Sequence, residues 1–278
     1  MHTVLITGAS SGIGLATAEY LVQKGFQVFG TTRSLEKRAA AVQAAKQRCG
    51  DCLQWVEMDV TKEDSVERAV KQVEAKAGGI DGLVCNAGIG IYGSIEETPI
   101  DQVFSQFDTN VFGYLRTLRA VLPGMRERRS GKIVLISSMA GILAIPYQVH
   151  YSAAKYAVEA FTEGLRQELR NFNIKVSAVR PGDIATEFND ATLLTMPENS
   201  PYTKWSKPCW KTIEKNMVAA PKPILVAKLI YRILKKKNPK AFYTAADFLT
   251  SLTPILTPFM SSQLKEKVVR MFYGIDSK

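Results

Sequence analysis

The chain has 278 residues, 46% of them hydrophobic and 22% charged, and carries a formal net charge of +10. That length and apolar content supply one large core, and no internal repeat, low-complexity tract or Pro/Gly/Ser-rich linker divides the sequence, so a single domain over residues 1–278 is expected. Four cysteines and two histidines without a second Cys-x-x-Cys fall short of the four ligands of a structural zinc, so no metal site is expected and Cys49 and Cys52 of "CGDC" read as free thiols.

In chain order, "TVLIT" (Thr3 to Thr7) is a short β-branched run, followed by a glycine turn and by "IGLATAEYLVQKG", which has helical periodicity and a stop at Gly25. The alternation repeats through "FQVFGTT", a helix over Ser34 to Arg48, "LQWVEMDV", a helix after Thr61, "GLVCNAG", a long helix after Thr98, "KIVLISS", a helix holding "YSAAK", and "IKVSAVRPG". Thr61 with Asp64 and Thr98 with Asp101 read as capping boxes, with Pro99 at a first helical position. Strands this apolar between helices imply a parallel sheet covered on both faces, an α/β doubly wound architecture whose ligand lies at the carboxyl ends of the strands.

The basic clusters "RERR" (Arg126 to Arg129) and "KKK" (Lys235 to Lys237) read as solvated charge, the second ending an amphipathic helix, and no nucleic-acid partner is expected. The amino terminus "MHTVLITGASSG" enters a strand at once, and no apolar run reaches the ~20 residues of a membrane span, so the expectation is a cytoplasmic chain without a transmembrane segment.

"TGASSGIG" places Gly8, Gly12 and Gly14 where the first strand turns into the first helix, with the spacing Gly-x-x-x-Gly-x-Gly. A pyrophosphate needs main-chain N–H groups at a helix N-terminus and no side chain in the way, which glycines there provide. After the second strand, "FGTTRS" supplies Arg33 and no acid, and Ser11 adds a hydroxyl; an arginine there suits a 2′-phosphate, so NADP(H) is favoured over NAD(H).

"TGASSGIG", "NAG" (Asn86 to Gly88), "NVFG" (Asn110 to Gly113), "ISS" (Ile136 to Ser138), "YSAAK" (Tyr151 to Lys155) and "RPG" (Arg180 to Gly182), in this order, resemble the short-chain dehydrogenases/reductases, a Rossmann-like family. "CNAGIGIYG", "GTTRS" and "NPKAFYTAADFL" resemble its seventeen-beta-hydroxysteroid and retinol dehydrogenase branch. The resemblance implies Tyr151 as general acid/base, Lys155 as its partner, Ser138 orienting the substrate oxygen and Asn110 supporting a water-linked proton path. It places the cofactor against Gly8, Ser11, Gly12, Ile13, Gly14, Arg33, Asp59, Val60, Asn86, Ala87, Gly88, Pro181, Gly182 and Thr186, besides Tyr151 and Lys155, with Asp59 at the adenine, Asn86 supporting the central strand and Thr186 at the nicotinamide amide. It also implies a homodimer or homotetramer.

Physical chemistry supports the pair independently. Residues i and i+4 share a helix face, so Tyr151 and Lys155 point at one pocket. A nearby ammonium, together with the cationic nicotinamide ring when oxidised, favours the phenolate and is expected to lower the tyrosine from its ordinary value near ~10. Ser138, at the end of a strand, is placed to donate to a carbonyl oxygen as charge develops there.

The segment 187–220 is poorly periodic and holds Phe188, Leu193, Leu194, Met196, Tyr202, Trp205 and Trp210, which reads as a substrate lid. With Ile142, Leu143 and Ile145 it suggests an apolar pocket and a lipophilic small-molecule substrate, steroid-like, retinoid-like or long-chain. The extension 246–278 includes the apolar "FLTSLTPILTPFM", which is open to covering the pocket, joining a subunit interface or making a peripheral membrane contact. Two rivals stand beside an NADP(H)-dependent ketone/secondary-alcohol oxidoreductase: a 3-oxoacyl reductase whose basic surface meets an acidic carrier or coenzyme A, and a non-catalytic NADP(H)-sensing protein.

Overall fold

The computed structural model describes residues 2–188 and 191–275; residues 189–190 of the expected lid and 276–278 of the expected extension lie outside the described residues. The order is β1 (Thr3–Ile6), α1 (Gly12–Gln23), β2 (Gln27–Thr32), α2 (Ala39–Cys49), β3 (Leu53–Glu57), α3 (Glu63–Ala77), β4 (Gly82–Cys85), β5 (Ile91–Tyr92), α4 (Ile100–Phe107), α5 (Gly113–Glu127) and β6 (Gly131–Ile136). It continues with α6 (Val149–Glu168), β7 (Ile174–Pro181), β8 (Leu193–Leu194), α7 (Thr203–Ala219), α8 (Ile224–Lys235), β9 (Phe242–Ala245), α9 (Phe248–Leu256) and α10 (Ser262–Phe272).

Seven strands form one parallel sheet in the order β3-β2-β1-β4-β6-β7-β9, and β5 pairs with β8 in a separate two-stranded piece. Successive side chains of a strand alternate between faces. Leu5 packs with Val66, Val70 and Val73 of α3, Leu118 and Val121 of α5 and Val158 of α6, while Val4 and Ile6 pack with Leu21 of α1 and Val226 and Ile230 of α8. Each such side chain contributes about 1.5–3 kcal/mol by leaving water, which is why these apolar runs become central strands. The strand order reverses between β1 and β4, and the crevice at their carboxyl ends is the ligand position that such a reversal opens.

Some expectations are corrected. The second helix begins at Ala39, five residues later than Ser34, because the Ser34 hydroxyl accepts from the Lys37 amide and holds a turn there. Neither capping box forms. Asp59 accepts from both the hydroxyl and the amide of Thr61 (2.8 and 2.9 Å), and the Thr98 hydroxyl donates to the Ser94 carbonyl, so neither threonine is left to cap. Pro99 is the residue before α4, not its first. Between α4 and α5 the chain takes one wide π-turn, Asp108–Phe112. Gly113 follows it, where a Cβ would meet the Val60 side chain at 2.8 Å. The second half of the segment 187–220 is helical: Ser206, Cys209 and Ile213, spaced 3 and 4 apart, bury one face of α7 despite Pro208 within it.

Candidate active site

The glycine turn lies at the carboxyl end of β1. Gly8 and Gly12 have φ of +64° and +53°, the left-handed region that side chains disfavour. A Cβ on Gly14 would meet the Gly8 carbonyl at 2.3 Å and the Asn86 amide at 2.6 Å, so only glycine fits. Asn86 donates to the carbonyls of Thr7 (3.0 Å) and Gly8 (2.9 Å), while the Thr7 hydroxyl accepts from the amides of Asn86 and Ala87. Ser11 precedes α1 without capping it, and no acid occupies the first turn. The N–H groups of Gly12, Ile13 and Gly14 thus open onto the crevice, a cradle that fits a pyrophosphate. Across it stands Thr186, 3.3 Å from where a Gly12 Cβ would be.

Of the other expected cofactor positions, Arg33 is exposed just past β2, and Asp59, just past β3, is half-buried. Val60 is buried under Gly113, with its carbonyl accepting from Arg116. Gly88 faces the Asn110 amide, and Pro181 ends β7 with Gly182 beside Ala246 and Thr250.

Tyr151 and Lys155 lie one turn apart on α6, and the Lys155 ammonium is 5.6 Å from the Tyr151 ring centre and equally far from that of Tyr114. Lys155 is buried and donates to the Ile136 carbonyl (2.8 Å), which also accepts from the Tyr114 hydroxyl (3.1 Å). Ser138, following β6, accepts from the Ala140 amide (3.1 Å). Asn110 sits in the π-turn, wholly buried. Its amide accepts from the Ile89 N–H and donates to the Ile89 carbonyl, both at 2.9 Å, so the side chain pins the loop after β4.

The electrostatics reverse one expectation. Burial pushes the Tyr151 phenol up to about 12, and a hydrogen bond with Ser138 acts the other way without overcoming it. Burial lowers Lys155 to about 8, against the carboxylate of Glu159, which raises it. Desolvation is the larger cause and Ser138 the one that opposes it, so the expected lowering is not seen, and at neutral pH the tyrosine holds its proton beside a charged lysine.

Glu159 is the residue that sequence reasoning missed. It continues the Tyr151, Lys155 spacing by one more turn, is buried, and forms an ion pair with Arg180 of β7 (2.7 Å) and a short hydrogen bond from the Ser137 hydroxyl. The i+4 step from Lys155 was the available signal. His150 faces Thr98 and not Tyr151.

A cleft of about 870 Å³ opens beside the phosphate turn, between Gly12 and Thr186 on one side and Trp210, Met217 and Val218 of α7 on the other. Among the described residues its wall carries Glu19, Glu187 and Glu214 and no lysine or arginine. The Phe188 ring lies 5.8 Å from that of Tyr151. Trp210 lines the cleft and packs on Tyr92 (4.7 Å between ring centres), whereas Trp205 points outward under Lys204. Ile142, Leu143 and Ile145, expected in an apolar pocket, are half-buried and are not on this wall.

The short chain dehydrogenase family profile matches residues 2–196. A 3-ketodihydrosphingosine reductase of Bacteroides thetaiotaomicron is 36% identical over 274 residues, 98% of each chain. Human retinol dehydrogenase 8 is 41% identical over 195 residues, covering 69% of this chain and 62% of that protein. Among solved structures, a short-chain dehydrogenase from Streptomyces avermitilis superposes with a TM-score of 0.82 at 34% identity over 97% of both chains. An alcohol dehydrogenase from the archaeon Thermococcus sibiricus, complexed with 5-hydroxy-NADP, superposes with a TM-score of 0.73 at 25% identity, over 89% of this chain and 97% of that one.

Proposed function

Because the chain belongs to the short-chain dehydrogenase/reductase family, whose members are oxidoreductases acting on CH–OH groups, we propose that it is an NADP(H)-dependent enzyme interconverting a ketone and a secondary alcohol on a lipophilic, long-chain substrate. The carrying observation is the half-buried Tyr151, one helical turn from a buried and charged Lys155, at the same end of the sheet as Ser138 and the glycine cradle. A nicotinamide held by the glycine cradle would supply hydride to the carbonyl carbon in reduction and take it from the carbinol carbon in oxidation.

The chain's own residues manage the proton. Tyr151, protonated at neutral pH, donates to the carbonyl oxygen as negative charge builds there, and Ser138 hydrogen-bonds the same oxygen. Lys155 keeps its charge below about pH 8 and stabilises the phenolate left behind. Asn110 holds the loop that frames the site through Ile89. Arg33 is the group for a 2′-phosphate, since it stands exposed at the end of β2 with no acid on that strand end. Homo-oligomer formation would draw on the exposed Ile100, Phe104 and Phe112 of the α4–α5 stretch.

The cleft beside the phosphate turn carries three glutamates and, among the described residues, no lysine or arginine, although Glu19 is engaged by Arg48. Gly12 and Thr186 of this wall are cofactor positions, and Ser138, Tyr151 and Lys155 do not line it, so its acids do not choose between the long-chain ketone and the 3-oxoacyl reductase readings. The Bacteroides relative is named for reduction of 3-ketodihydrosphingosine, and that name supports the long-chain ketone. The test is NADPH oxidation over ketones graded by chain length, with and without an adjacent amine, beside a 3-oxoacyl-coenzyme A. Each buried methylene is worth ~0.8 kcal/mol, so kcat/KM should climb by decades along the series. A flat series, or preference for the coenzyme A ester, overturns the long-chain reading.

A further inference from the structure

Helix α9 turns its polar side to the fold and its apolar side outward. Thr257 is buried and Thr250 packs at Gly182, 3.2 Å from where a Cβ there would lie, while Phe248, Leu249, Ile255, Leu256 and Phe259 are each more than half exposed. Over 3.6 residues per turn these five fall on one side of α9 and the turn that ends it. Helix α10 buries only Val269 and carries a second exposed apolar strip, Leu264, Val268, Met271 and Phe272, along another side. Lys265 and Lys267 fall at the two borders of that strip.

The two acids among the described residues of this region are engaged locally. Asp247 accepts from the Thr250 amide at the start of α9, and Glu266 pairs with Arg270. Neighbouring α7 presents Lys204, Lys207, Lys211 and Lys215 on its exposed side, at spacings of 3, 4 and 4 residues. The junction of these helices is closed: Tyr273 packs in the cluster of Tyr92, Cys209 and Ile213 together with Trp210, and Trp210 lines the cleft. An apolar surface of this extent on a folded chain marks a binding face.

We propose that α9 and α10 form a docking face for an anionic bilayer surface. Phe248, Leu249, Ile255, Leu256 and Phe259 enter the boundary between headgroups and acyl chains, with Met271 and Phe272 beside them, and Lys265 and Lys267 reach lipid phosphates from the borders. Helices with an apolar face edged by lysines lie in such an interface without crossing it, and no helix among the described residues is long and apolar enough to cross a membrane. Charge selects lipid over a second copy: self-pairing brings two chains of net charge +10 together, whereas an anionic leaflet attracts each basic group. A second copy also has a separate apolar face at Ile100, Phe104 and Phe112. The proposal rests on exposure and charge, not on the substrate reading.

The experiment is co-sedimentation of the full chain, without substrate or cofactor, with phosphatidylcholine vesicles that contain or lack phosphatidylglycerol. Binding is expected to the anionic vesicles, weakening with salt. The double variant Phe248→Ser, Phe259→Ser should lose it by tenfold or more, and Lys265→Glu or Lys267→Glu by about fivefold or more each. Melting temperatures should match the parent, because the side chains are exposed, so loss of binding is not loss of fold. A parent chain that stays in the supernatant with anionic vesicles overturns the proposal, as does a phenylalanine variant that binds equally well. A parent dimer that the same variant turns into monomer, with no vesicle binding, assigns the face to a second copy instead.

Discussion

Helices α6 and α9 both set hydroxyl-bearing or small side chains against the fold, and they differ in what the arrangement accomplishes. In α6 every inward polar group has a partner: Ser152 accepts from Ile145, Lys155 donates to Ile136, Thr162 donates to Val158, and Glu159 binds Ser137 and Arg180. The outer face of α6 ends in charged residues such as Glu163 and Glu168, which water satisfies. In α9 the outer face is apolar, and the fold gives it no cover. Buried polarity that is satisfied marks a working interior, whereas exposed apolarity marks a surface awaiting something outside the chain.

The sharpest way to break this comparison is to remove the group that makes the α6 interior chemical. Tyr151→Phe keeps the ring against Phe188 but has no proton to donate, so turnover should fall by ~10²–10⁴ while NADPH binding, followed by fluorescence titration, stays nearly intact. Near-normal turnover would falsify the role given to Tyr151.

Next in size is the ion pair beneath it. Glu159→Ala leaves Arg180 buried without its partner, and losing one member of a buried pair costs about 3–5 kcal/mol, read as a large fall in melting temperature. Glu159→Gln keeps the shape and tests the electrostatics. Three groups face the Lys155 ammonium: Tyr151 and Glu159 from α6 and Tyr114 from α5. The Lys155 charge is present below about pH 8 and lost above it, so carbonyl reduction should decline as pH rises through that region. Because the Glu159 carboxylate raises Lys155, its removal should move the decline to lower pH. An unmoved profile in a folded Gln variant reduces Glu159 to a structural tie.

These two tests also divide what the sequence reveals from what it hides. The glycine cradle and the Tyr151–Lys155 spacing were legible because their causes are local: φ above zero, a helix N-terminus and a four-residue step. The Glu159–Arg180 pair joins positions 21 residues apart on different elements. It exists only once α6 lies on β7. The direction of the Tyr151 shift was likewise invisible, since desolvation depends on how much protein surrounds the ring. Helix α7 was obscured by Pro208 and its tryptophans, and β9 because its pairing with β7 is decided by the sheet edge and not by its own four residues. The two capping boxes failed because Asp59 and the Ser94 carbonyl competed for the same hydroxyls.

A smaller effect is expected at the cofactor's far end. Arg33→Ala should cost NADPH about tenfold or more in Kd and leave NADH almost unchanged, since a charge-assisted contact of this kind is worth roughly 1.5–3 kcal/mol and only NADPH carries the 2′-phosphate. Equal losses with both cofactors would show that Arg33 holds the turn after β2 and does not read the phosphate.

The smallest effect returns to α9 and is the one that most cleanly separates the two helices. Phe248 is 78% exposed, so Phe248→Ser removes a ring that packs on little in the free chain. Surface changes of this kind usually fall within ±0.5 kcal/mol, and turnover of a short water-soluble ketone should be unaltered because Tyr151, Ser138 and Lys155 are untouched. A matching substitution on the inward side of α6, Val158→Ser, deletes fully buried apolar volume and adds a hydroxyl, and should lower the melting temperature by several degrees. If Phe248→Ser instead destabilises the chain as much as Val158→Ser does, α9 is covered in solution by part of this chain or a second copy, and the contrast between a satisfied interior and an uncovered face disappears.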